Sequence, residues 1–507
     1  MAILGNIVKK VVELSITLDS ENKEPLTKQM DVLRELINTA KSTSFGQYFG
    51  YSEMFQLSDS EMYEQFQNSI PILTYNQINR KWWKQHQKFG NITWPGKQSF
   101  YALSSGTTGK SSKRIPVSEE MMDYTRKVSF QLVKSLGSFN LNPTSYEKEV
   151  FMLGSSNDLI ENKYGFLEGE ISGINTYNLP GWFDIFYRPG KDIASINEWD
   201  ERVAAIVKES VNWDISVIAG IPSWVQVVLK RIITEHNLNS IHDIWPNLEL
   251  YITGGVPFQP FANSFNELTN EPLKIIDTYL ASEGFFGFTD HPDRSDMKLS
   301  IDTGVFYEFI PFTNENFKNG KLVKNPQTLT VHEVEVNIDY AMIITTASGL
   351  WRYQIGDTLK FTDVKNLRFE ITGRTKHFLN VVGSQLSEEK LDIVVKKLSK
   401  TKGVGIDHYS VACVEKKSGR FVHQWLIVTD DTLDTANTKS FIDQHLKVAN
   451  KNYQVARNKA LSGVEVVVVK TNKWYDLLKE KGKIGGQAKI PKVMSQEMIE
   501  DYLSESI

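Results

Sequence analysis

Cysteine is nearly absent from this chain of 507 residues: Cys413 stands alone, so no internal disulfide can form. Its place in the apolar run Tyr409 to Val414 reads as that of a buried strand residue, not a reactive thiol, and a reducing compartment fits. Long hydrophobic runs are missing too. No stretch approaches the roughly 20 uninterrupted apolar residues that span a bilayer. Met1 to Leu18 is apolar in places, but Lys9 and Lys10 interrupt it and no small-residue cleavage site follows, so it is read as an amphipathic first helix. Nor is there an excess of one charge sign. With 23% charged residues and a net charge of -4, nothing directs the chain towards nucleic acid or an anionic membrane. Repeats, low-complexity tracts and long polar linkers do not occur. These absences lead to the expectation of a cytoplasmic globular protein with neither nucleic-acid nor membrane partners, its oligomeric state left open.

What is present suffices for large cores: 41% of residues are hydrophobic and 11% aromatic. The length corresponds to roughly two to four domains. From about residue 100 to 370, short aliphatic runs alternate with helical segments, the pattern of strands joined by crossover helices. The expected strands are Val150 to Leu153, Ile215 to Ala219, Leu248 to Ile252, Leu273 to Ile276 and Met342 to Thr346. The expected helices include Ser118 to Leu136 and Ser223 to Glu235, the latter capped by Ser223 after Pro222. Beyond about residue 380 the texture changes. Leu391, Val394, Val395 and Leu398 share a helical face, Tyr409 to Val414 and Phe421 to Val428 flank the turn Lys416 to Gly419, and a helix over Phe441 to Ala449 precedes the strand Val464 to Val469. The expectation is an α/β fold with a large N-terminal domain, 1–380, and a smaller C-terminal α+β domain, 381–507, joined by a hinge.

Three segments carry chemistry. In Ser104-Ser105-Gly106-Thr107-Thr108-Gly109-Lys110-Ser111-Ser112-Lys113, glycines free the backbone N–H groups, hydroxyls add donors and two lysines add positive charge, which together can cradle phosphate oxygens. An ordinary surface loop has the same composition. Gly109-Lys110-Ser111 matches the end of a P-loop, but that pattern needs a glycine where Ser104 stands, and the run before it is a weak buried strand. Thr278 to Gly284 follows an expected strand, where a ligand crevice opens in α/β sheets; there Tyr279 could stack on a base and Glu283 could hold Mg²⁺, or the peptide is simply a strand end with a solvated glutamate. Trp351 to Asp357 follows another strand, and an aspartate after a glycine turn can accept both hydroxyls of a ribose; a plain β-turn reads the same.

In this order and at these spacings, Ser104 to Thr108, Tyr279 to Glu283 and Tyr353 to Asp357 resemble the three nucleotide motifs of the adenylate-forming superfamily. Ala219 to Trp224, Thr253-Gly254-Gly255, Phe306 to Pro311, Gly373-Arg374 and Gly486 to Lys492 extend the resemblance to the Gretchen Hagen family of acyl-acid amido synthetases, the auxin-responsive promoter proteins and their bacterial relatives. The resemblance implies an enzyme that uses ATP and Mg²⁺ to adenylate a small carboxylic acid and then passes the acyl group to an amino acid. It implies that Ser104, Ser105, Thr108 and Lys113 line the phosphate loop, Thr253, Gly254, Gly255 and Tyr279 the adenine and ribose side, that Asp357 binds the ribose hydroxyls, and that Arg374 also binds the nucleotide. Ser282 would contact the α-phosphate, Glu283 would hold Mg²⁺, and Lys489 would arrive by hinge motion. The acid pocket would be lined by the helix from Ser118 and by Ala219 to Val228, with Tyr124, Phe130, Ala219, Trp224 and Val225, and Arg126 as the nearest cation for the acid.

The chain departs from the family at Gln354, where an arginine is common and for which Arg352 could substitute, and at His377 and Ser384-Gln385 near the hinge. An acyl-CoA ligase and a non-catalytic nucleotide-binding regulator are the competing functions.

Overall fold

The computed structural model describes residues 6, 9–10, 23–104, 113–256, 258–313, 315–318, 321–375, 386, 388–416, 421–450, 453–454, 457, 461–484 and 490–506. Most of the expected first helix, most of the turn Lys416 to Gly419, His377 and Ser384-Gln385 lie outside the described residues.

Helix α1 (Pro25–Ala40) opens with proline in its first turn, where no N–H is needed, and buries Leu33, Leu36 and Ile37. Gln29 ties it to the sheet: its Nε2 donates to the carbonyls of Ile301 (2.6 Å) and Val305 (2.9 Å), and its Oε1 accepts from the Tyr307 amide (2.8 Å). Strands β1 (Phe100–Ser104) and β2 (Lys113–Val117) form a hairpin that ends on the pair Ser104 and Lys113. Helix α2 (Glu119–Ser135) follows where a helix over Ser118 to Leu136 was expected, and it is capped by the Ser118 hydroxyl, which accepts from the Met121 amide at 2.9 Å.

Next come β3 (Glu149–Leu153), β4 (Leu167–Gly169), α3 (Ile171–Tyr177), β5 (Tyr187–Arg188), α4 (Trp199–Glu209), β6 (Ile215–Gly220), α5 (Pro222–Glu235), β7 (Leu250–Gly254) and β8 (Lys274–Ala281). Ser223 is not the cap: α5 opens at Pro222, Ser223 falls inside its first turn, and Ile221 takes the cap position without a side-chain bond. Strands β5, β3, β6, β7 and β8 run parallel, with helices between them, as the alternation of runs indicated.

From β8 onwards the crossover pattern stops. Strands β9 (Gly284–Phe288), β10 (Met297–Leu299), β11 (Val305–Pro311), β12 (Asp339–Thr346), β13 (Leu350–Asp363) and β14 (Arg368–Arg374) pair antiparallel, giving one sheet of eleven strands in the order β11-β12-β13-β14-β10-β9-β8-β7-β6-β3-β5. Tight turns replace helices here; Gly349 between β12 and β13 adopts φ +76°, which suits glycine alone. Trp351 to Asp357, expected as a turn after a strand, is the first half of β13.

The C-terminal unit has α6 (Glu388–Lys402), β15 (His408–Glu415), β16 (Phe421–Val428), α7 (Thr435–Ala449), β17 (Leu461–Val469), α8 (Thr471–Glu480) and α9 (Gln496–Ser506) around a three-stranded sheet. Leu391, Val394, Val395 and Leu398 are all buried, as their helical spacing predicts. This unit is docked, not tethered: Trp199, Trp224 and Phe265 share one apolar cluster with Leu426, Trp474, Leu477 and Ile499. Around it the Asp407 carboxylate accepts from Gln226 Nε2 (2.7 Å) and Thr471 Oγ1 (2.5 Å).

Arg352 settles one expectation. It is buried, with φ +41°, and its Nε and Nη2 form a two-pronged bond to Glu308 (both 2.8 Å) while Nη1 reaches the carbonyls of Gln67 (2.7 Å) and Ile70 (2.8 Å). A guanidinium so fully engaged has no donor left for a pyrophosphate, so Arg352 does not stand in for an arginine at position 354. Removing it strands the carboxylate of Glu308, which is 1% exposed. Arg352→Met should therefore lower stability in denaturant titrations by about 3–5 kcal/mol, and the double variant with Glu308→Leu should recover much of that loss.

Candidate active site

Strand β8 builds the centre of the site. Its first half pairs parallel with β7, Thr253 opposite Asp277 and Gly254 opposite Thr278, and its end turns through Ser282 and Glu283 into β9. Gly254 is required for the fit of these strands: a Cβ there would lie 2.6 Å from Thr278 Oγ1, the hydroxyl that donates to the Thr253 carbonyl at 2.8 Å. Gly255 has φ +81°, so the chain leaves the strand through a left-handed turn. The backbone after β7 is thus bare of side chains at the carboxyl ends of the parallel strands, the position of ligand crevices in open α/β sheets.

Two carboxylates face this region, in different environments. Asp357, in β13, accepts from the Tyr279 hydroxyl at 2.6 Å and from Arg374 Nε at 2.7 Å. Burial raises the Tyr279 hydroxyl well above its ordinary pKa, so the phenol stays protonated and acts as donor. The Tyr279 ring meets Phe286 edge-on at 4.9 Å. Both Asp357 oxygens are held in place, and each keeps a further lone pair for a ligand hydroxyl.

Glu283 is the second. It is buried, and its Oε1 accepts from the Tyr353 hydroxyl at 3.4 Å. Burial raises its pKa, the positive charge of Lys113 opposes this, Asp357 adds to the rise, and Arg374 again lowers it. Lys113 is therefore close enough to act on Glu283; its ammonium lies 5.6 Å from the Tyr75 ring. The structure thus brings Lys113, Tyr279, Ser282, Glu283, Asp357 and Arg374 to one end of the sheet, with Ser104 paired to Lys113 at the mouth of the β1-β2 hairpin. Ser105, Thr108 and Lys489 lie outside the described residues.

The residues expected to line the acid pocket are not gathered in the same way. Trp224 is buried edge-on to Trp199 at 5.3 Å, and Val225 is also in the core. Tyr124 donates to Glu35 at 3.0 Å and lies over Gly304, where a Cβ would come within 2.1 Å of its ring. Phe130 is 61% exposed, and Arg126 pairs with Asp123 on the helix surface. Ala219 alone keeps a place near the crevice, one residue from the end of β6 and paired with Ile252.

Gln354 lies on the opposite face of β13 from Tyr353, opposite Ile343 across the ladder. Its side chain is turned away from Glu283, so the departure from the family pattern falls outside the carboxylate cluster.

Sequence reasoning missed Asp277. It interrupts the strand Lys274 to Ala281 directly after the apolar pair Ile275-Ile276, which was the available signal, and it shares a face of β8 with Tyr279. Burial pushes its carboxyl up to about 7, against one bond from the Phe258 backbone. A carboxyl raised on folding favours the folded state at low pH and loses that contribution as pH rises from its unfolded range near 4 through about 7. Asp277→Asn should accordingly raise the melting temperature relative to the parent protein at pH 8, and change it least at pH 5, in thermal scans over that range.

Among the described residues no group of three or more His, Cys, Asp or Glu side chains converges as a metal cage. A lone buried carboxylate fits a different arrangement, in which Mg²⁺ takes one protein ligand and completes its shell with phosphate oxygens and water.

The chain matches the GH3 family N-terminal domain over residues 17–195, the GH3 family central domain over 298–374 and the GH3 family C-terminal domain over 389–498. It is 24% identical over 291 residues to a probable indole-3-acetic acid-amido synthetase, GH3.9, of Oryza sativa subsp. japonica, a match that covers 52% of this chain and 64% of that protein. It is 25% identical over 290 residues to indole-3-acetic acid-amido synthetase GH3.3 of Arabidopsis thaliana, covering 53% and 47%. These matches thus span about half to two thirds of the relatives' length. Among solved structures, GH3.15 acyl acid amido synthetase superposes with a TM-score of 0.76 at 15% identity, covering 98% of this chain and 96% of that one. The 2-hydroxyisobutyryl-CoA ligase in its postadenylation state, in complex with 2-HIB-AMP, gives 0.57 at 13%, covering 94% and 90%. With all three of its domain models matched in order along the sequence, this chain belongs to the GH3 family.

Proposed function

We propose that this protein is an ATP-dependent acyl-acid amido synthetase. The observation that carries the reading is the convergence of Glu283 and Asp357 at one end of the sheet, the one buried with Tyr353 and near Lys113, the other fixed by Tyr279 and Arg374. Asp357 accepts the ribose hydroxyls of ATP, oriented by Tyr279, while Thr253, Gly254 and Gly255 offer backbone to the base and ribose. Asp277, with its carboxyl pushed up to about 7, is protonated in about half of the molecules near neutral pH, and in that form can donate to one ring nitrogen of adenine and accept from its amino group. Ser104, Ser105, Thr108 and Lys113 meet the phosphates, and Ser282 the α-phosphate.

The acid's carboxylate attacks the α-phosphorus and pyrophosphate leaves; the amine of an amino acid then attacks the acyl carbon, and AMP leaves. Adenylation is needed because a free carboxylate resists amines, whereas AMP is a competent leaving group. Mg²⁺, held by Glu283, would neutralise phosphate charge when bound. The residues themselves supply positioning and fixed charge more than covalent chemistry. In this reading residues 1–380 bind ATP and acid, and residues 381–507 move to bring Lys489 to the nucleotide.

A screen of acids against amino acids for pyrophosphate release, with and without CoA and with mass detection of products, tests this. Amino-acid-dependent conjugates are expected; release that depends on CoA and ignores every amino acid would replace the reading with an acyl-CoA ligase. Glu283→Gln should abolish acid-dependent pyrophosphate exchange, by about 100-fold or more, with an unchanged circular dichroism spectrum. Asp357→Asn should weaken ATP binding by about 1–3 kcal/mol in calorimetry through loss of charge-assisted bonds; unchanged affinity would remove the ribose role.

A further inference from the structure

The aromatic residue beside the phosphate hairpin belongs to none of the nucleotide motifs. Tyr75 opens a helical turn over Tyr75–Ile78, whose start is fixed by Gln77: its Oε1 accepts from the Thr74 amide at 2.8 Å and from the Thr74 hydroxyl at 2.7 Å. The residue before this turn is bonded to β13 on either side of Tyr353. The Leu73 amide donates to the Arg352 carbonyl and the Leu73 carbonyl accepts from the Gln354 amide, each at 2.9 Å. Tyr75 is therefore held in a fixed relation to Tyr353, the phenol that donates to Glu283. The buried Trp83 fills the space between them, its ring 5.8 Å from that of Tyr75 and 6.1 Å from that of Tyr353.

Tyr75 also grips the hairpin. Its hydroxyl accepts from the Arg114 amide at 2.9 Å, and its ring lies 5.6 Å from the Lys113 ammonium. The Arg114 side chain is committed elsewhere: its Nε donates at 3.0 Å to Glu168 of β4, a buried carboxylate that also accepts from Asn162 Nδ2. Successive residues of a strand face opposite ways, so an Arg114 tied to Glu168 leaves Lys113 directed to the other face of β2, towards Tyr75. The circuit closes at Glu283, on which the positive charge of Lys113 acts.

We propose that Tyr75 is a positioning residue for the departure of pyrophosphate, acting through Lys113, an inference that rests on the amido synthetase reading above. As the acid's carboxylate bonds to the α-phosphorus, the bond to the bridging oxygen breaks and negative charge gathers on the pyrophosphate. A lysine answers that charge only if its ammonium is aimed at the leaving group and not drawn onto the nearby carboxylate of Glu283. The face of Tyr75 supplies the opposing pull. Its quadrupole attracts the ammonium but accepts no directed hydrogen bond, so the contact consumes none of the N–H donors that phosphate oxygens need. An acidic residue at position 75 would hold Lys113 and take up those donors. An aliphatic residue would leave Lys113 to Glu283.

Pyrophosphate exchange by the full-length protein, with an acid found in the screen, tests this. Tyr75→Leu should slow exchange by about fivefold or more and raise KM for pyrophosphate, while KM for the acid changes less than about twofold. Tyr75→Phe keeps the ring and loses the hydroxyl, and should stay within about twofold of the parent protein. The decisive readout is a double-variant cycle: if Tyr75 acts through Lys113, adding Tyr75→Leu to Lys113→Gln should slow exchange by less than about twofold more. Losses that multiply in full would overturn the proposal and leave Tyr75 as a packing residue. Exchange unchanged in Tyr75→Leu or in Lys113→Gln, or Tyr75→Phe as slow as Tyr75→Leu, would overturn it as well. Where Lys113→Gln exchanges too slowly to measure, the KM values decide, and an acid KM raised along with that of pyrophosphate overturns it. Should Tyr75→Leu fail to fold, Tyr75→Met makes the same comparisons with an unbranched apolar side chain, and the same results overturn it. Absence of exchange with every acid in the parent protein would instead overturn the ligase reading, and this role with it.

Discussion

The site depends on one strand paired in two ways. Lys274–Ala281 is parallel to Leu250–Gly254 on one side and antiparallel to Gly284–Phe288 on the other. The parallel half places Asp277 opposite Thr253, at the mouth of an α/β crevice. The antiparallel half reverses the chain through Ser282 and Glu283 and so holds a carboxylate over that crevice, with the Met121 side chain filling the space beside Gly284, where a Cβ would lie 2.8 Å from its Cε. A purely parallel continuation would carry the chain away into a helix, and a purely antiparallel sheet would offer no bare strand ends. The candidate site lies where the two sheet types meet.

This junction also explains why two acids close together serve different ends. Asp357 is fixed by a phenol and a guanidinium, so its geometry is set before any ligand arrives. Among the described residues Glu283 accepts a long bond from the Tyr353 hydroxyl and feels the favourable charges of Lys113 and Arg374, while burial disfavours its own charge. A group in that condition gains most from an added cation. A fixed acceptor beside a carboxylate that gains from a cation is the pairing on which the proposed magnesium-nucleotide role rests.

Much of this was legible in the sequence, for identifiable reasons. Residues with strong local signals were found where they lie: the helix starting near Ser118, the helical face of Leu391 to Leu398, the parallel strands near Val150 and Ile215; the cap expected at Ser223 was not. The second half of the sheet was not, because hairpins of long strands with few polar turns resemble the runs of a crossover pattern; Trp351 to Asp357 looked like a turn for its glycine, yet Gly356 with φ +98° is an irregularity inside a strand. Ser104, Glu283 and Asp357 could be placed from ordered motifs, whereas pairings such as Tyr279 to Asp357, 78 positions apart, are set by sheet register and leave no local trace. Trp224 and Val225 illustrate the opposite limit: aromatic and aliphatic residues beside a site read the same whether they line a pocket or fill a core. Arg352 was legible as a cation but not as the partner of Glu308, since only the fold brings the two together.

The C-terminal unit adds a constraint on any two-step cycle. It is held by an apolar cluster and by the bonds of Asp407 and Tyr475, so a change of orientation has to break defined contacts. The central claim, however, is that an acyl-adenylate is formed at all, and isotope transfer tests it most directly. With an accepted acid labelled with ¹⁸O in its carboxylate, amide formation should deliver one ¹⁸O atom into AMP. Label found in inorganic phosphate with ADP as the co-product, or unlabelled AMP beside the conjugate, would contradict the account.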